Sequence, residues 1–260
     1  MGKIKILAAS AAVVLLSLPA IGQDLAQQPA DAQWPATGHG PAEQRYSPLN
    51  IVHTGNIGDL GLAWYADIPT TRGVEATPLV IGRTLYNVEP WNIVTAYDAA
   101  TGEVLWRYDP EVPQRFGRLA CCDIVSRGLG YAPGHIYVAT LDGRLISLDP
   151  QTGAVQWSVL TVDNSKPYTI TGAPRVAGDK VIVGNGGAEI GVRGYVTAYD
   201  TQTGEQVWRW YTVPGNPADG FENEAMAMAA KTWTGEWWKQ GGGGTVWDSI
   251  SYDPQLGLIY

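Results

Sequence analysis

Apolar and polar positions in this chain change over within a few residues, and Gly, Pro, Asn or Asp interrupts nearly every run. That texture predicts short strands and turns rather than long helices. Three stretches share one pattern: Ala96-Tyr-Asp-Ala-Ala-Thr-Gly-Glu-Val-Leu-Trp106, Ser147-Leu-Asp-Pro-Gln-Thr-Gly-Ala-Val-Gln-Trp157 and Ala198-Tyr-Asp-Thr-Gln-Thr-Gly-Glu-Gln-Val-Trp208. In each, a small residue is followed by Asp, Thr-Gly and Trp at the same offsets. Trp106, Trp157 and Trp208 recur at a 51-residue interval, as do Gly102, Gly153 and Gly204. Each copy reads as a hairpin. An apolar strand ends at Asp98, Asp149 or Asp200, whose carboxylate can accept bonds from the turn backbone. The Gly takes a positive φ. The returning strand carries a Trp large enough to fill space between neighbouring sheets.

A further strand pair precedes each copy, within 76–87, 136–140 and 180–183. Four short strands per unit of about 50 residues is the sequence signature of a β-propeller blade. Such a sheet buries both faces only by stacking on its neighbours in a ring. The expected fold class is therefore all-β, a β-propeller. Three full units and parts of two more are present. Residues 245–260 open another blade and stop on a strand, so about half of a ring is expected here. It reads as an N-terminal fragment, or as a half completed by a second chain. Ahead of the blades, 50–58 reads as a short helix or turn and 62–65 as a strand.

The first two blades match in length, with eleven steps from Asn87 to Asp98 and from Val138 to Asp149. The third takes seventeen, from Val183 to Asp200. The six extra residues fall in GNGGAEIGVRG, 184–194, whose single acid is Glu189. A Gly-rich insertion on a regular scaffold is where binding is added. From spacing alone, an ordinary solvated loop reads equally well.

Composition narrows the class. A chain with 45% hydrophobic and 16% charged residues is globular rather than disordered. A net charge of -8 without a basic cluster argues against a nucleic-acid partner. Residues 1–22 read as a signal peptide: Lys3 and Lys5, an apolar run over 6–18 too short for a bilayer, then small residues. Residues 23–42 read as a polar lead-in and 43–260 as the propeller domain. Periplasmic export is expected, with no transmembrane span in the mature chain. It places Cys121 and Cys122, the chain's two cysteines, in an oxidising compartment.

The adjacent cysteines occur once against a repeated background and mark a site. As buried thiols they would be inert, though export argues against reduced thiols. As metal ligands they lack partners, since His39, His53 and His135 have no zinc-site spacing. As a vicinal disulfide they would close a strained ring, because neighbouring Cα atoms sit about 3.8 Å apart, below the usual disulfide range. Glu75, Arg127 and Arg193 read either as ordinary surface charges or, for the arginines, as partners of an anion or a nearby acid. Thr169 and Thr171 alternate with Ile170 and so share one side of a strand. The glycine run 241–244 brings bare backbone next to Trp247, which suits a flat ligand on the indole and equally a plain turn. No Ser-His-Asp arrangement, Walker loop, GxGxxG or CxxCH is present.

Taken together, GVEATPLV, ACCDIVSRG, TLDGRLISLD, YTITGAPRV, GNGGAEIGVRGYVTAYD and GEWWKQGGGGTVWDSISYDP resemble the quinoprotein alcohol dehydrogenases, over roughly 45–260. The resemblance implies an eight-bladed propeller with pyrroloquinoline quinone (PQQ) near its axis. It implies a vicinal disulfide between Cys121 and Cys122 against one face of PQQ and Trp247 against the other. Glu75, Arg127 and Thr171 would meet PQQ carboxylates and carbonyls. Gly187, Ala188 and Thr245 would be further contacts, and Glu189 a ligand of Ca²⁺. The activity implied is oxidation of an alcohol to an aldehyde, with Ca²⁺ as Lewis acid, an Asp as base and electrons leaving to a cytochrome c or haem domain. In the family the other metal ligands and the base come from segments later than Tyr260. No catalytic residue is therefore expected in this chain, and the chain alone is expected to be inactive. The contrasting class is a non-catalytic periplasmic β-propeller that binds partner proteins. The cysteine pair with GGAE and GGGGTVW favours the dehydrogenase. A sugar-oxidising quinoprotein is disfavoured because the vicinal pair marks the alcohol group.

Overall fold

The computed structural model describes residues 33–40 and 42–260; the stretch read as a signal peptide lies outside them. Three four-stranded antiparallel sheets follow one another along the chain, each a simple meander. The first holds β1 (Leu79–Ile81), β2 (Thr84–Val88), β3 (Val94–Asp98) and β4 (Val104–Tyr108). The second holds β5 (Gly130–Ala132), β6 (His135–Ala139), β7 (Arg144–Leu148) and β8 (Val155–Leu160). The third holds β9 (Arg175–Ala177), β10 (Lys180–Gly184), β11 (Tyr195–Asp200) and β12 (Gln206–Tyr211). A short helix α1 (Glu224–Ala230), N-capped by Asn223, follows. A hairpin of β13 (Tyr252–Asp253) and β14 (Leu258–Ile259) comes last.

The stacking of these sheets is written in β6, where every residue is buried. Ile136 and Val138 join one core cluster with Leu79, Val88 and Val94 of the first sheet. Tyr137 and Ala139 join another with Val181, Val183 and Tyr195 of the third. Alternation along one strand thus feeds two cores, one on each face, as propeller blades require.

The repeat performs the roles its residues suggested. The Asp98 carboxylate accepts from the backbone of Ala100 and Thr101, Asp149 from Gln151 and Thr152, and Asp200 from Gln202 and Thr203. Gly102, Gly153 and Gly204 have φ of 75°, 70° and 73°. The tryptophan of one blade lies over the turn glycine of the next. A Cβ at Gly153 would sit 2.6 Å from the Trp106 ring, and one at Gly204 2.7 Å from Trp157. The indole N–H then donates to the same turn: Trp106 to the carbonyl of Pro150 at 2.9 Å, Trp157 to that of Thr201 at 3.2 Å. A tyrosine two strands inward shares each carbonyl, Tyr86 at 3.1 Å and Tyr137 at 3.0 Å. An exposed or half-buried indole removed from water this way contributes about 2–3 kcal/mol.

Residues 62–65 do not form the expected strand, because no described segment pairs with them. Leu62 and Tyr65 point to solvent, while Trp64 packs over Gly102 and donates to the Ala99 carbonyl at 3.0 Å. It is a third docking tryptophan, outside the 51-residue register. The stretch read as a short helix or turn, 50–58, runs through turn residues into a 3-10 turn at Ile57–Asp59. Part of the polar lead-in is paired: Trp34 exchanges both backbone bonds with Val80 of β1, at 2.8 and 3.0 Å. Among the described residues no helix is long and apolar enough to cross a membrane.

Gly153→Ala is expected to destabilise by about 2–4 kcal/mol, from the positive φ and the indole together. Gly134 has φ 85° but nothing within 4 Å of an added Cβ. Gly134→Ala should therefore cost only about 1 kcal/mol, and the two denaturation midpoints measure the difference. The turn carboxylates also predict an acid limb. Hydrogen bonding from Arg83 and from the turn backbone holds the Asp98 carboxyl down at about 2, and turn hydrogen bonds lower Asp149 and Asp200. Depressed folded-state values mean stability that is present above the ordinary carboxylate range and lost as pH falls through the folded values. Denaturation midpoints from pH 5 to pH 2 should fall more steeply for the native chain than for the D98N/D149N/D200N variant.

Candidate functional site

Each blade enters its first strand through a short irregular segment, and the candidate residues lie in those segments. Glu75 precedes β1, Arg127 precedes β5, Thr171 precedes β9 and Trp247 precedes the last hairpin. The segments bond to one another from blade to blade. The Thr77 N–H donates to the Arg127 carbonyl at 3.3 Å, and the Arg127 N–H to the Thr171 carbonyl at 2.9 Å. Gly172 comes up against the carbonyl of Trp247.

Arg127 is the centre of this group. One guanidinium nitrogen donates to the Thr171 hydroxyl at 2.6 Å. The other pairs with the Glu75 carboxylate at 3.3 Å. Its carbon lies 4.8 Å above the Trp247 ring. Thr171 is buried, Arg127 largely so, and Trp247 stays 48% exposed. The result is a cation fixed in three directions beside an open indole. Thr169 and Thr171 sit ahead of β9 rather than in a named strand, and both are buried.

The six-residue insertion is shaped by a residue the sequence pattern passed over. Asn185 is fully buried; its amide oxygen accepts the Tyr195 N–H at 2.9 Å and its nitrogen bonds the carbonyls of Gly186 and Arg193. This side chain closes the base of the loop. Above it, Ala188–Ile190 makes one 3-10 turn between Gly187 (φ 100°) and Gly191 (φ 91°), which holds Glu189 out to solvent. Gly186 donates to the Thr169 carbonyl at 2.7 Å, tying the loop to the Arg127 group. The run Gly241, Gly242, Gly243 and Gly244 has positive φ throughout, a path open only to glycine. It lies along the same loop: the Gly194 N–H donates to the Gly243 carbonyl at 2.8 Å, and Ala188 faces Gly243. Thr245 leads from this run to Trp247.

Cys121 and Cys122 are exposed free thiols here, their sulfurs 2.6 Å apart. The hydrogen bond from Cys122, partial burial and the Glu189 carboxylate push the Cys121 thiol up to about 12. That interaction joins the cysteine pair to the insertion, so the two features unique in the sequence meet in space. Arg193, ambiguous from sequence, is committed elsewhere. It makes a two-pronged pair with Glu222 at 2.6 and 3.1 Å and stacks 3.8 Å from the Tyr211 ring.

The donor set suits a flat, carboxylate-bearing quinone: a fixed guanidinium, a hydroxyl, an open indole and bare glycine backbone. For a hard cation the chain offers less. Among the described residues no three His, Cys, Asp or Glu side chains cluster to hold a metal. Glu189 can supply part of the roughly six to eight oxygens that Ca²⁺ takes.

Residues 34–260 match the family model described as PQQ, glucose/ethanol/alcohol dehydrogenase, beta-propeller domain. Quinohemoprotein alcohol dehydrogenase ADH IIB of Pseudomonas putida is 55% identical over 90% of this chain and 34% of its own length. The structure of quinohemoprotein alcohol dehydrogenase ADHIIG from Pseudomonas putida HK5 superposes with a TM-score of 0.86 at 51% identity, over 88% of this chain and 34% of that one. The Comamonas testosteroni quinohemoprotein alcohol dehydrogenase gives 0.85 at 46% identity, over 91% of this chain and 37% of that one. The chain thus spans about a third of the length of these relatives. By the family model and by these relatives, the chain belongs to the PQQ family of glucose, ethanol and alcohol dehydrogenases, through its β-propeller domain.

Proposed function

We propose that this chain is the cofactor-holding N-terminal part of a PQQ- and Ca²⁺-dependent alcohol dehydrogenase. The observation that carries the reading is the convergence of Glu75, Arg127, Thr171 and Trp247 from the entry segments of four successive blades. PQQ supplies the two-electron oxidising chemistry for turning an alcohol into an aldehyde, and Ca²⁺ beside it supplies Lewis-acid charge. The chain's own residues bind and orient. Arg127 offers N–H donors to a carboxylate or carbonyl, and Glu75 and Thr171 keep its guanidinium from swinging away. Trp247 gives a flat apolar wall. Gly187, Ala188 and Thr245 offer backbone at the edge of the site. Glu189 contributes carboxylate oxygens to the cation. The cysteine pair, closed as a vicinal disulfide in an oxidising compartment, forms the opposite wall.

No residue of this chain is assigned as the catalytic base. The signal-like sequence over 1–22 supports export to the periplasm, with 43–260 as the propeller unit. A cytochrome c or a haem domain is the proposed electron acceptor. The neighbourhood of Cys121 and Glu189 supports this reading over a propeller that only binds partner proteins.

Titrating PQQ into the purified chain with Ca²⁺ present should quench tryptophan fluorescence to saturation. Arg127→Ala should weaken that binding about ten- to a hundredfold, the worth of a hydrogen bond to a charged group. Trp247→Ala should remove most of the quenching. Absence of any saturable quenching in the native chain would sink the proposal. In addition, Glu189→Gln should abolish the dependence of PQQ affinity on Ca²⁺ while leaving the metal-free affinity near that of the native chain; unchanged Ca²⁺ dependence would remove Glu189 from the metal site.

A further inference from the structure

Beside the quinone site lies a second pocket, of about 540 Å³, lined among others by Arg72, Arg115, Arg118, Asp123 and Trp91. It adjoins the site at two points of the chain: Asp123 follows Cys122, and Arg72 stands three residues before Glu75. Arg72 and Asp123 pair at 3.0 Å. Arg115 lies 4.6 Å over the Phe116 ring, and both Arg115 and Arg118 are exposed. Neither has a carboxylate partner among the described residues. Three cations against one carboxylate leave a local excess of positive charge on a chain whose net charge is -8.

The pocket is held open by backbone rather than by the arginines themselves. Trp91 and Asp123 both adopt left-handed conformations, with φ of 65° and 78°. The Trp91 N–H donates to the Ile124 carbonyl at 3.2 Å, and Gly117 packs against the Trp91 ring. Phe116, Ile124 and Leu141 form a small core beneath. Such backbone persists only where the surroundings over-determine it. The three arginines thus line a concave space on a fixed backbone, which suits a small polyanion better than a flat protein face.

We infer that this arginine pocket is an outer capture station for the polycarboxylate quinone, from which it passes to Arg127 and Trp247. The inference rests on the proposed function. An acidic chain repels a polyanion at long range, and a local positive concavity is what restores its rate of encounter.

The test is stopped-flow fluorescence of PQQ binding to the full purified chain with Ca²⁺ present. The R115Q/R118Q variant should lower the association rate constant about tenfold at low salt. Its dissociation rate should match that of the native chain. The difference should fade toward 1 M salt, where the screening length falls to about 3 Å. Both side chains are exposed, so the variant keeps its fold; a circular dichroism melt checks this. A control, R45Q/K231Q, removes the same charge elsewhere and should change the rate less than about twofold. Native association rates in the arginine variant overturn the inference, as does equal slowing in the control, which would make net charge the cause. A faster dissociation with unchanged association would place the arginines in the final site instead and also overturn it. A native chain that gives no PQQ-dependent signal removes the proposed function, and this inference with it.

Discussion

Each docking tryptophan lies flat on a glycine of the following blade and donates its N–H to the turn that glycine shapes. Most other features depend on this contact. A sheet of four short strands cannot bury two faces by itself, and a propeller needs a rule that sets how far each blade turns from the last. Here the rule is steric and polar at once. The indole fits only where no Cβ stands, and its nitrogen and the tyrosine beside it share one carbonyl as acceptor. The turn Asp, in turn, keeps the hairpin in the conformation that presents that carbonyl. Loss of any one part loosens the angle between blades, and with it the register of the entry segments at their inner edge.

Those entry segments show why a regular scaffold can carry an irregular site. The blade cores lie between the sheets; Leu129, Tyr168 and Ile170 of the entry segments join them, but Glu75, Arg127 and Thr171 do not. Those three are thus free to be polar at small cost to packing, Thr171 buried, Arg127 largely buried and Glu75 partly exposed. Their positions are still fixed, because the backbone of one entry segment bonds the next. The same division explains the insertion at 184–194. β10 and β11 stay paired from Gly184–Val196 outward, and the added residues leave the sheet only beyond that pair.

How much of this was readable in the sequence follows from how local each signal is. The hairpin unit was legible because Asp, Gly and Trp act within one turn and recur in register. Trp64 docks in the same way but belongs to no 51-residue copy, so it read as part of a strand. Tyr86 and Tyr137 keep the 51-residue spacing and share the tryptophan's acceptor, yet one tyrosine among thirteen carries little signal by itself. The insertion showed as an excess of length, whereas its clamp did not. Asn185 bonds Tyr195 across the loop, and an Asn within GNGG looks like any turn residue. For the site, residue types hinted at chemistry, but the meeting of Arg127 with Glu75, Thr171 and Trp247 arises from three blade-to-blade steps. Only the resemblance of whole motifs to a known family anticipated it.

The docking contacts also have a direction. A tryptophan near the end of one blade always reaches forward, to a turn made later in the chain. Trp208, which has no later turn glycine against it among the described residues, remains 38% exposed. Cohesion of this kind is nearest-neighbour and ordered, as in a stack of coins. For a polypeptide that emerges from a ribosome or a translocation channel with its N-terminus leading, each blade must wait with an uncovered indole until its successor arrives. The interval of exposure is set by the synthesis of about 50 residues, so the pace of emergence, and not only the final free energy, governs how long greasy surface stands open to other chains.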